Sequence, residues 1–408
     1  MPQFRERAPH PEKPEEPPNG IDDDYPDRVG LRDRICHFTW PWFACTMSTG
    51  AVAVVISTTP NQFPGLQTIG KIFFIVDLVL FLLFTGIITT RFILKPAKLG
   101  ASLQHPVEGL FFGAYWVSIA LIINCIELYG VPSTGPWLVK TLQVVYWIYV
   151  GIVLVVAIFQ YFFYFQNQRL PVEGAMPAWI FPVYPLLVIG PLAGTLIKSQ
   201  PTQSAYTMWV GAVMLQGLAW TVSLLMYGTY MQRLMASELP PPPSRPGMYV
   251  SVGPAGYTAA GLISLGTNAP SVIAGNMFQV TTTAAGEVID IVGVLAGSFV
   301  LLFSFWFFCI STVSVISGMR KMTFTLNWWA MIFPNGGLCL GAIQFANAKA
   351  FNSRPVDGIV SALTILLVIM WLVVAAANIK AVIEGRILWP GKDEDKDMKG
   401  IRWGRQVA

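Results

Sequence analysis

Long uninterrupted runs of apolar residues alternate with short polar segments along most of this chain. Each run, wound as an α-helix, is long enough to cross the ~30 Å hydrocarbon core of a lipid bilayer. The runs predict ten membrane-spanning helices, at residues 39–57, 71–91, 107–129, 137–165, 176–197, 205–232, 247–267, 286–318, 323–347 and 356–383. We therefore predict an all-α transmembrane fold, with one ten-helix domain over residues 37–385.

Polar tails flank this domain. Residues 1–36 are rich in Pro, Glu and Asp and nearly free of aliphatic side chains. Such a segment cannot bury enough apolar surface to offset the entropy lost on ordering. We predict a disordered tail over residues 1–36 and a second short tail over 386–408, both cytosolic. The first tail contains no apolar core and does not resemble a signal peptide.

Composition supports a membrane protein and disfavours an enzyme. Charged residues make up 12% of the chain and mean hydropathy is +0.56, whereas soluble domains carry about 25% charged residues. The three histidines lie in the tail or at span starts, and the five cysteines show no CxxC spacing. No metal, triad or nucleotide-loop pattern is present in the sequence. We predict no enzymatic activity, no cofactor, no metal and no nucleic-acid partner.

Lysine and arginine residues are unevenly divided between the two sides of the predicted bundle. With ten spans both termini share one side, which then holds 21 of the 26 basic residues. Cytosolic loops carry an excess of lysine and arginine in membrane proteins. The chain is therefore predicted to have both termini in the cytosol.

Prolines divide the predicted spans into two alternating groups. The first, fifth, seventh and ninth spans contain proline and the third follows Pro106, whereas no even-numbered span contains one. A proline in a helix interior removes a backbone hydrogen bond, and such breaks at membrane depth are tolerated inside the protein or beside a watery cavity. The pattern predicts five inner, pore-lining helices and five smooth outer helices, repeated at intervals of about 70–80 residues.

The predicted arrangement of the inner helices favours the binding of anions. All five enter from the same side, so their partially positive N-termini converge on one mouth. Arg91 ends an apolar helix and Arg245 precedes the Pro-Gly opening of the seventh span, which makes them the strongest basic candidates. The alternative interpretation is that these two residues only set the topology.

Uncharged groups are predicted to line the pore. No lysine or arginine lies near the middle of a span, and a fixed cation there would hold a dianion too tightly for release. The candidate lining residues are Thr46, Ser48, Thr49, Trp179, Ser251, Gly253, Tyr257, Thr258 and Asn335. Phe333 lies directly before Pro334, where a ring is placed to plug a narrow pore. Packing between helices is the alternative role for the aromatic residues.

Asp77 is the deepest acidic residue in any predicted span. An intramembrane carboxyl group is either a functional group, here for proton coupling, or a structural hydrogen-bond acceptor. Asp77 lies on an outer, even-numbered helix, which favours the structural role.

Several motifs resemble one known family. They are HFTWPWFACTMSTG (37–50), NQFPGLQTIGKI (61–72), PAWIFPVYP (177–185), RPGMYVSVGPAGYT (245–258), IFPNGG (332–337) and WPGKDED (389–395). Together they resemble the tellurite-resistance/dicarboxylate transporter family in its fungal malic acid transport branch. Fungal sulfite efflux pumps and plant slow anion channels are relatives. The resemblance covers about residues 31–395, and the sulfite branch lacks the HFTWPWFACTM and RPGM stretches.

The resemblance implies a specific architecture and activity. It implies five quasi-repeated hairpins around a central pore, a homotrimer, and occlusion of the pore by Phe333. The implied cargo is malate and related C4-dicarboxylates such as succinate and fumarate, moved across the plasma membrane with or without coupled protons. A sulfite or small inorganic anion efflux pump is the first alternative, and a non-transporting membrane sensor or scaffold is the second.

Overall fold

The computed structural model describes residues 30–167, 170–273 and 284–389. These residues form an all-helical bundle with no β-strand among them. The helices are α1 (Leu31–Cys36), α2 (Phe43–Thr58), α3 (Leu66–Leu94), α4 (Ala97–Gln104), α5 (Phe112–Cys125), α6 (Pro136–Asn167), α7 (Tyr184–Leu187), α8 (Ile189–Leu196), α9 (Thr202–Ala236), α10 (Val252–Val272), α11 (Ala285–Gly318), α12 (Phe333–Asn347) and α13 (Arg354–Ile383).

Eight helical segments in the described part of the chain are long and apolar enough to cross a membrane. The predicted seventh and ninth spans correspond to α10 and α12, which are not among the eight. Helix α12 has 15 residues, or about 22 Å of rise, which is shorter than a bilayer core. Helix α10 is continuous, but glycine, proline and polar residues interrupt its apolar sequence. The fold is an all-α transmembrane one, and the count of ten spans stays a prediction.

The helices separate into a buried and an exposed set, as the prolines indicate. In the 18-residue apolar stretch of Trp40–Thr58, 89% of the residues are buried, against 17% in that of Leu66–Leu94, whose surface side chains are mostly apolar. We call α2, α5, the consecutive α7 and α8 counted as one, α10 and α12 the five inner helices, and α3, α6, α9, α11 and α13 the outer helices. The outer helices present the apolar surface that contact with lipid requires.

Each inner helix is preceded by a short 3₁₀ segment, and most of the prolines lie at or near these starts, while Pro191 and Pro270 lie within α8 and α10. The segments are Trp40–Trp42, Gly109–Phe111, Pro177–Val183, Pro242–Ser251 and Leu326–Met331. Pro334, for example, is the second residue of α12, where its missing N–H costs no helical hydrogen bond. Proline therefore marks the start of the α-helix here.

The five 3₁₀ segments contact one another in a closed ring, in the order in which they occur along the chain. The last of them, Leu326–Met331, returns to contact the first, Trp40–Trp42. All five inner helices consequently begin at the same end of the bundle, which we call the N-terminal end. Their free N–H groups and partial positive charges gather there.

Glycines allow the inner helices to approach closely. A Cβ atom at Gly256 of α10 would lie 2.5 Å from the backbone of Gly337 and Leu338 in α12. No side chain fits in that space, so the backbones of α10 and α12 pack directly against each other. Close approach through small residues is the usual means of packing helices inside membranes.

Residues 31–36 and 386–389, which lie within the two predicted tails, belong to the described fold. Leu31–Cys36 forms helix α1, and Cys36 is buried. At the other end Ile387 is buried, and the Arg34 guanidinium lies 4.8 Å from the centre of the Trp389 ring. Apolar contacts therefore hold the chain on both flanks of the bundle. The predicted tails over residues 1–29 and 390–408 lie outside the described residues.

Candidate functional site

Three aromatic rings from different inner helices meet at the centre of the bundle. The Phe333 ring lies between the rings of Tyr257, 4.8 Å away and nearly parallel, and Tyr184, 5.4 Å away. All three side chains are buried, and Phe333 is 0% exposed. We call Tyr184, Tyr257 and Phe333 the central aromatic cluster. Offset rings at these separations attract one another beyond the burial of their area.

Hydrogen bonds and glycines hold the central aromatic cluster in place. The Tyr257 hydroxyl donates to the backbone oxygen of Phe333 at 3.1 Å, and the Tyr184 hydroxyl donates to that of Val250 at 3.0 Å. A Cβ atom at Gly253 would overlap the Tyr184 hydroxyl, so only glycine leaves room for the ring. Of the predicted site residues, the structure thus brings together Gly253, Tyr257 and Phe333. Tyr184, which lies in the quoted motif PAWIFPVYP, was not singled out from the sequence.

The predicted hydroxyl groups are buried and take part in hydrogen bonds inside the protein. Thr46 pairs with Ser118 at 2.7 Å, and Ser48 donates to the backbone oxygen of Trp329 at 3.1 Å. Thr49 accepts from the Trp371 indole at 3.0 Å. These bonds link α2 to its neighbours α5, the segment Leu326–Met331, and α13.

The other predicted polar residues also form hydrogen bonds within the protein. Ser251 donates to the backbone oxygen of Met248 at 2.7 Å, and Thr258 accepts from Gln216 of α9 at 2.9 Å. Asn335 donates through Nδ2 to the backbone oxygen of Met331 at 2.9 Å, while its buried Oδ1 has no hydrogen-bond partner among the described residues. Asn335 therefore keeps one polar atom uncommitted, two residues from Phe333.

Arg91 is buried in an ion pair with Glu108. Its Nη1 contacts the Glu108 carboxylate and also donates to the backbone oxygen of Phe38 at 2.8 Å. Both side chains are 0% exposed. The pair joins the end of outer helix α3 to the start of the second inner helix, just before Gly109–Phe111, so the charge of Arg91 is balanced within the protein. Glu108 was visible in the sequence only as an acid near a span.

Arg245 joins the segment Pro242–Ser251 to the end of outer helix α11. Its Nη1 donates to the Ser314 backbone oxygen at 3.0 Å and to the Ser317 hydroxyl at 2.7 Å. A cation beside the last carbonyls of a helix is favourable because of the helix dipole.

Trp179 lines a cavity of about 400 Å³ at the N-terminal end of the bundle. The walls come from the 3₁₀ starts of several inner helices and from the last turn of α9, which supplies Arg233. Arg233 appears in the sequence as one more basic residue at the end of a span. The sequence feature that could have identified Arg233 as a candidate is its position in the last turn of an apolar helix, which it shares with Arg91.

Asp77 of α3 is fully buried against α2. A Cβ atom at Gly50 would lie 2.7 Å from its Oδ2. Neither carboxyl oxygen has a hydrogen-bond partner among the described residues. A structural acceptor needs a donor, and the described part of the chain supplies none, so both sequence interpretations of Asp77 stay open to experiment.

Comparison with known proteins identifies the family. Residues 37–379 match the family SLAC1, described as voltage-dependent anion channel. The chain belongs to the SLAC1 family. A malic acid transport protein of Schizosaccharomyces pombe is 32% identical to this SLAC1 family member over 370 residues, which cover 90% of this chain and 83% of that protein. A second, putative malic acid transport protein of the same organism is 31% identical over 91% of this chain and 85% of its own.

Another branch of the SLAC1 family is also similar. The sulfite efflux pump SSU1 of Arthroderma benhamiae is 29% identical over 85% of this chain and 91% of its own length. The relatives are transporters rather than enzymes. This SLAC1 family member is accordingly an anion transporter, which agrees with the gathering of helix N-termini at one end of its bundle.

Proposed function

We propose that this chain moves malate and related C4-dicarboxylate anions, such as succinate and fumarate, across the plasma membrane. The observation that carries the proposal is the 32% identity to a malic acid transport protein over 90% of the chain. The ring of five helix starts supports it, because N–H groups and helix dipoles at one mouth attract anions.

The proposed pore runs along the inner helices and is closed by Phe333. The ring of Phe333 is buried between Tyr184 and Tyr257, so an anion cannot pass while the central aromatic cluster is assembled. An apolar constriction excludes water and therefore ions. Opening requires the Phe333 ring to leave its stack, after which uncharged groups such as Asn335 line the passage. Without a cation at this depth, a dianion is not trapped.

The remaining parts of the proposal concern assembly and energetics. We propose ten spans arranged as five hairpins, both termini in the cytosol, and a homotrimer in the bilayer. The exposed apolar side chains of the outer helices support contact with lipid or with neighbouring copies. Asp77, buried beside the inner helix α2 with no hydrogen-bond donor among the described residues, is the residue we propose as the carrier of a coupled proton.

Radiolabelled malate uptake into vesicles containing the purified full-length protein tests the proposed substrate. Malate uptake that succinate inhibits strongly and sulfite inhibits weakly is the expected result. Brisk sulfite flux without malate flux would replace the proposed substrate with that of the sulfite efflux pump SSU1, which is 29% identical to this chain. Absence of flux for both anions in correctly folded protein would favour a sensor or scaffold.

Uptake measured after the proton gradient is collapsed separates proton-coupled transport from channel-like flow.

A further inference from the structure

The cavity at the N-terminal end contains an arginine that the proposed pore does not explain. Arg233 lies in the last turn of outer helix α9 and is 9% exposed. Its Nε donates to the backbone oxygen of Glu173 at 3.2 Å. Its Nη1 is buried and has no hydrogen-bond partner among the described residues. A buried guanidinium with unsatisfied donors is unfavourable unless an anion or a polar ligand completes its shell.

The surroundings of Arg233 do not supply that anion. Among the described residues that line the cavity, Arg233 is the charged one, and no aspartate or glutamate is present. The contrast with Arg91 is direct: both arginines lie in the last turn of an outer helix, but Arg91 is paired with Glu108. The cavity therefore has a net positive lining.

The other walls suit a small organic acid. Trp179, Val250 and Phe111 provide apolar surface, while Ser244 and Asn327 provide a hydroxyl and a carboxamide. A volume of about 400 Å³ lies within the usual range of about 300–1,000 Å³ for small-molecule sites. Such sites combine mostly apolar walls with a few polar groups that fix orientation.

We propose that this cavity is a loading site in which Arg233 binds one carboxylate of the transported anion before it reaches the central aromatic cluster. The apolar walls accommodate the carbon chain, and Asn327 and Ser244 are placed to bind a second polar group. This proposal rests on the proposed function for the identity of the anion. The guanidinium is suited to the task because its planar fork matches a carboxylate.

Equilibrium binding of radiolabelled malate to the solubilised full-length protein, together with vesicle uptake, tests the site. Arg233→Gln should weaken malate binding and raise the half-saturating concentration for uptake by about tenfold or more, as expected for loss of a charge-assisted hydrogen bond. Uptake at saturating malate should stay within about twofold, since the central aromatic cluster is untouched. Arg233→Lys should be intermediate because it keeps the charge and loses the fork.

Lys380→Gln is the matched control. Lys380 also lies in the last turn of an outer helix, α13, but its side chain is 73% exposed. Its replacement should change neither malate binding nor half-saturation. Equal effects of Arg233→Gln and Lys380→Gln would overturn the loading site.

A second variant covers the case in which Arg233→Gln does not fold. Asn327→Asp places a carboxylate in the cavity without removing the arginine, and it should weaken malate binding by pairing with Arg233 and repelling the anion. Normal malate binding by folded Asn327→Asp protein would also overturn the proposal. If the unchanged protein carries sulfite and not malate, the same variants are measured with sulfite. Dependence on Arg233 would then uphold the site while the proposed substrate fails.

Discussion

Individual polar side chains of the inner helices are used to hold the bundle together. Thr46, Ser48 and Thr49 occupy three neighbouring positions of α2, yet each bonds to a different partner element. Buried hydroxyls must find partners because an unpaired one costs free energy. A conformational change along the pore therefore has to exchange these bonds or leave them intact.

Replacing Phe333 with alanine should open the pore. Removal of the ring takes away the group that separates Tyr184 from Tyr257, and we expect anion conductance to rise by roughly tenfold or more. Phe333→Leu should give a smaller rise because it keeps part of the apolar bulk. Recording currents at equal surface expression measures both. Phe305→Ala, at a 45% exposed position of α11, is the control. Unchanged or reduced conductance in Phe333→Ala would refute the gate.

Variants of the Arg91–Glu108 pair distinguish a role in stability from a role in anion binding. Removing one member of a buried pair leaves an unbalanced charge, so Arg91→Ala and Glu108→Ala should each destabilise the protein by about 3–5 kcal/mol. The double variant should recover much of that loss in a thermal unfolding assay. Malate affinity close to that of the parent in the double variant would assign Arg91 a structural role. A persistent loss of affinity would support the predicted role in binding.

Asp77→Asn tests proton coupling with little change in shape. If Asp77 carries the coupled proton, the variant should keep its fold, and its malate uptake should no longer respond to an imposed proton gradient. Uptake by vesicles at matched and opposed pH gradients measures the response. A response equal to that of the parent would return Asp77 to a structural role.

Residues beside prolines and glycines could be identified from the sequence as site candidates. Contacts between side chains of different helices could not. Phe333 and Gly253 were identified because they adjoin prolines in short motifs, and both lie in or beside the central aromatic cluster. The pairing of Arg91 with Glu108 spans 17 residues and two elements, so it depends on how α3 packs against the start of the second inner helix. Arg233 could not be distinguished from a topology charge until its burial was known.

At the scale of elements, the inner helices are two-part structures. Each has a tight 3₁₀ start in the ring and an α-helix beyond it. The junction before α12 is at Ile332, with φ of −107° and ψ of −68°. This junction lies directly before Phe333, so the gate residue is the first residue of α12 and lies where the 3₁₀ segment ends.

The contact between α10 and α12 should tolerate no side chain. Gly256→Leu would force the helices apart, and overpacking of this kind costs about 1–3 kcal/mol. We expect a lower unfolding temperature in detergent and reduced malate uptake. Gly151→Leu, on outer helix α6 with no atom within 4 Å of its Cβ position, is the matched control. Equal unfolding temperatures for the two variants would show that this close contact is dispensable.

At the scale of the whole molecule, apolar length and proline placement were sufficient to predict the inner and outer sets. Both features are visible along the sequence, because a helix in contact with lipid must be long, apolar and internally hydrogen-bonded. The short α12 and the polar α10 were harder, because their membrane depth depends on neighbours rather than on their own hydropathy. The closed ring of 3₁₀ segments could not be predicted, since it is a property of the assembled bundle.

Labelling of the two ends of α9 tests the orientation of the bundle. The helix has 35 residues, about 52 Å, so its ends should lie on opposite sides of the membrane. Cysteines placed at the exposed positions Gln203 and Glu238 should react with an impermeant reagent from outside and inside, respectively. Labelling of Glu238→Cys from the outside would reverse the predicted cytosolic side.

The return of the last inner helix to the first also constrains biosynthesis. The bond from Ser48 to Trp329 joins residues 281 positions apart, and that from Trp371 to Thr49 joins residues 322 apart. Contacts of such high sequence separation form late and slowly. During synthesis the contacts of Ser48 and Thr49 with Trp329 and Trp371 must therefore wait until nearly the whole chain has left the ribosome. A chain truncated before α13 would expose this face to quality control, so late nonsense mutations should be as damaging as early ones.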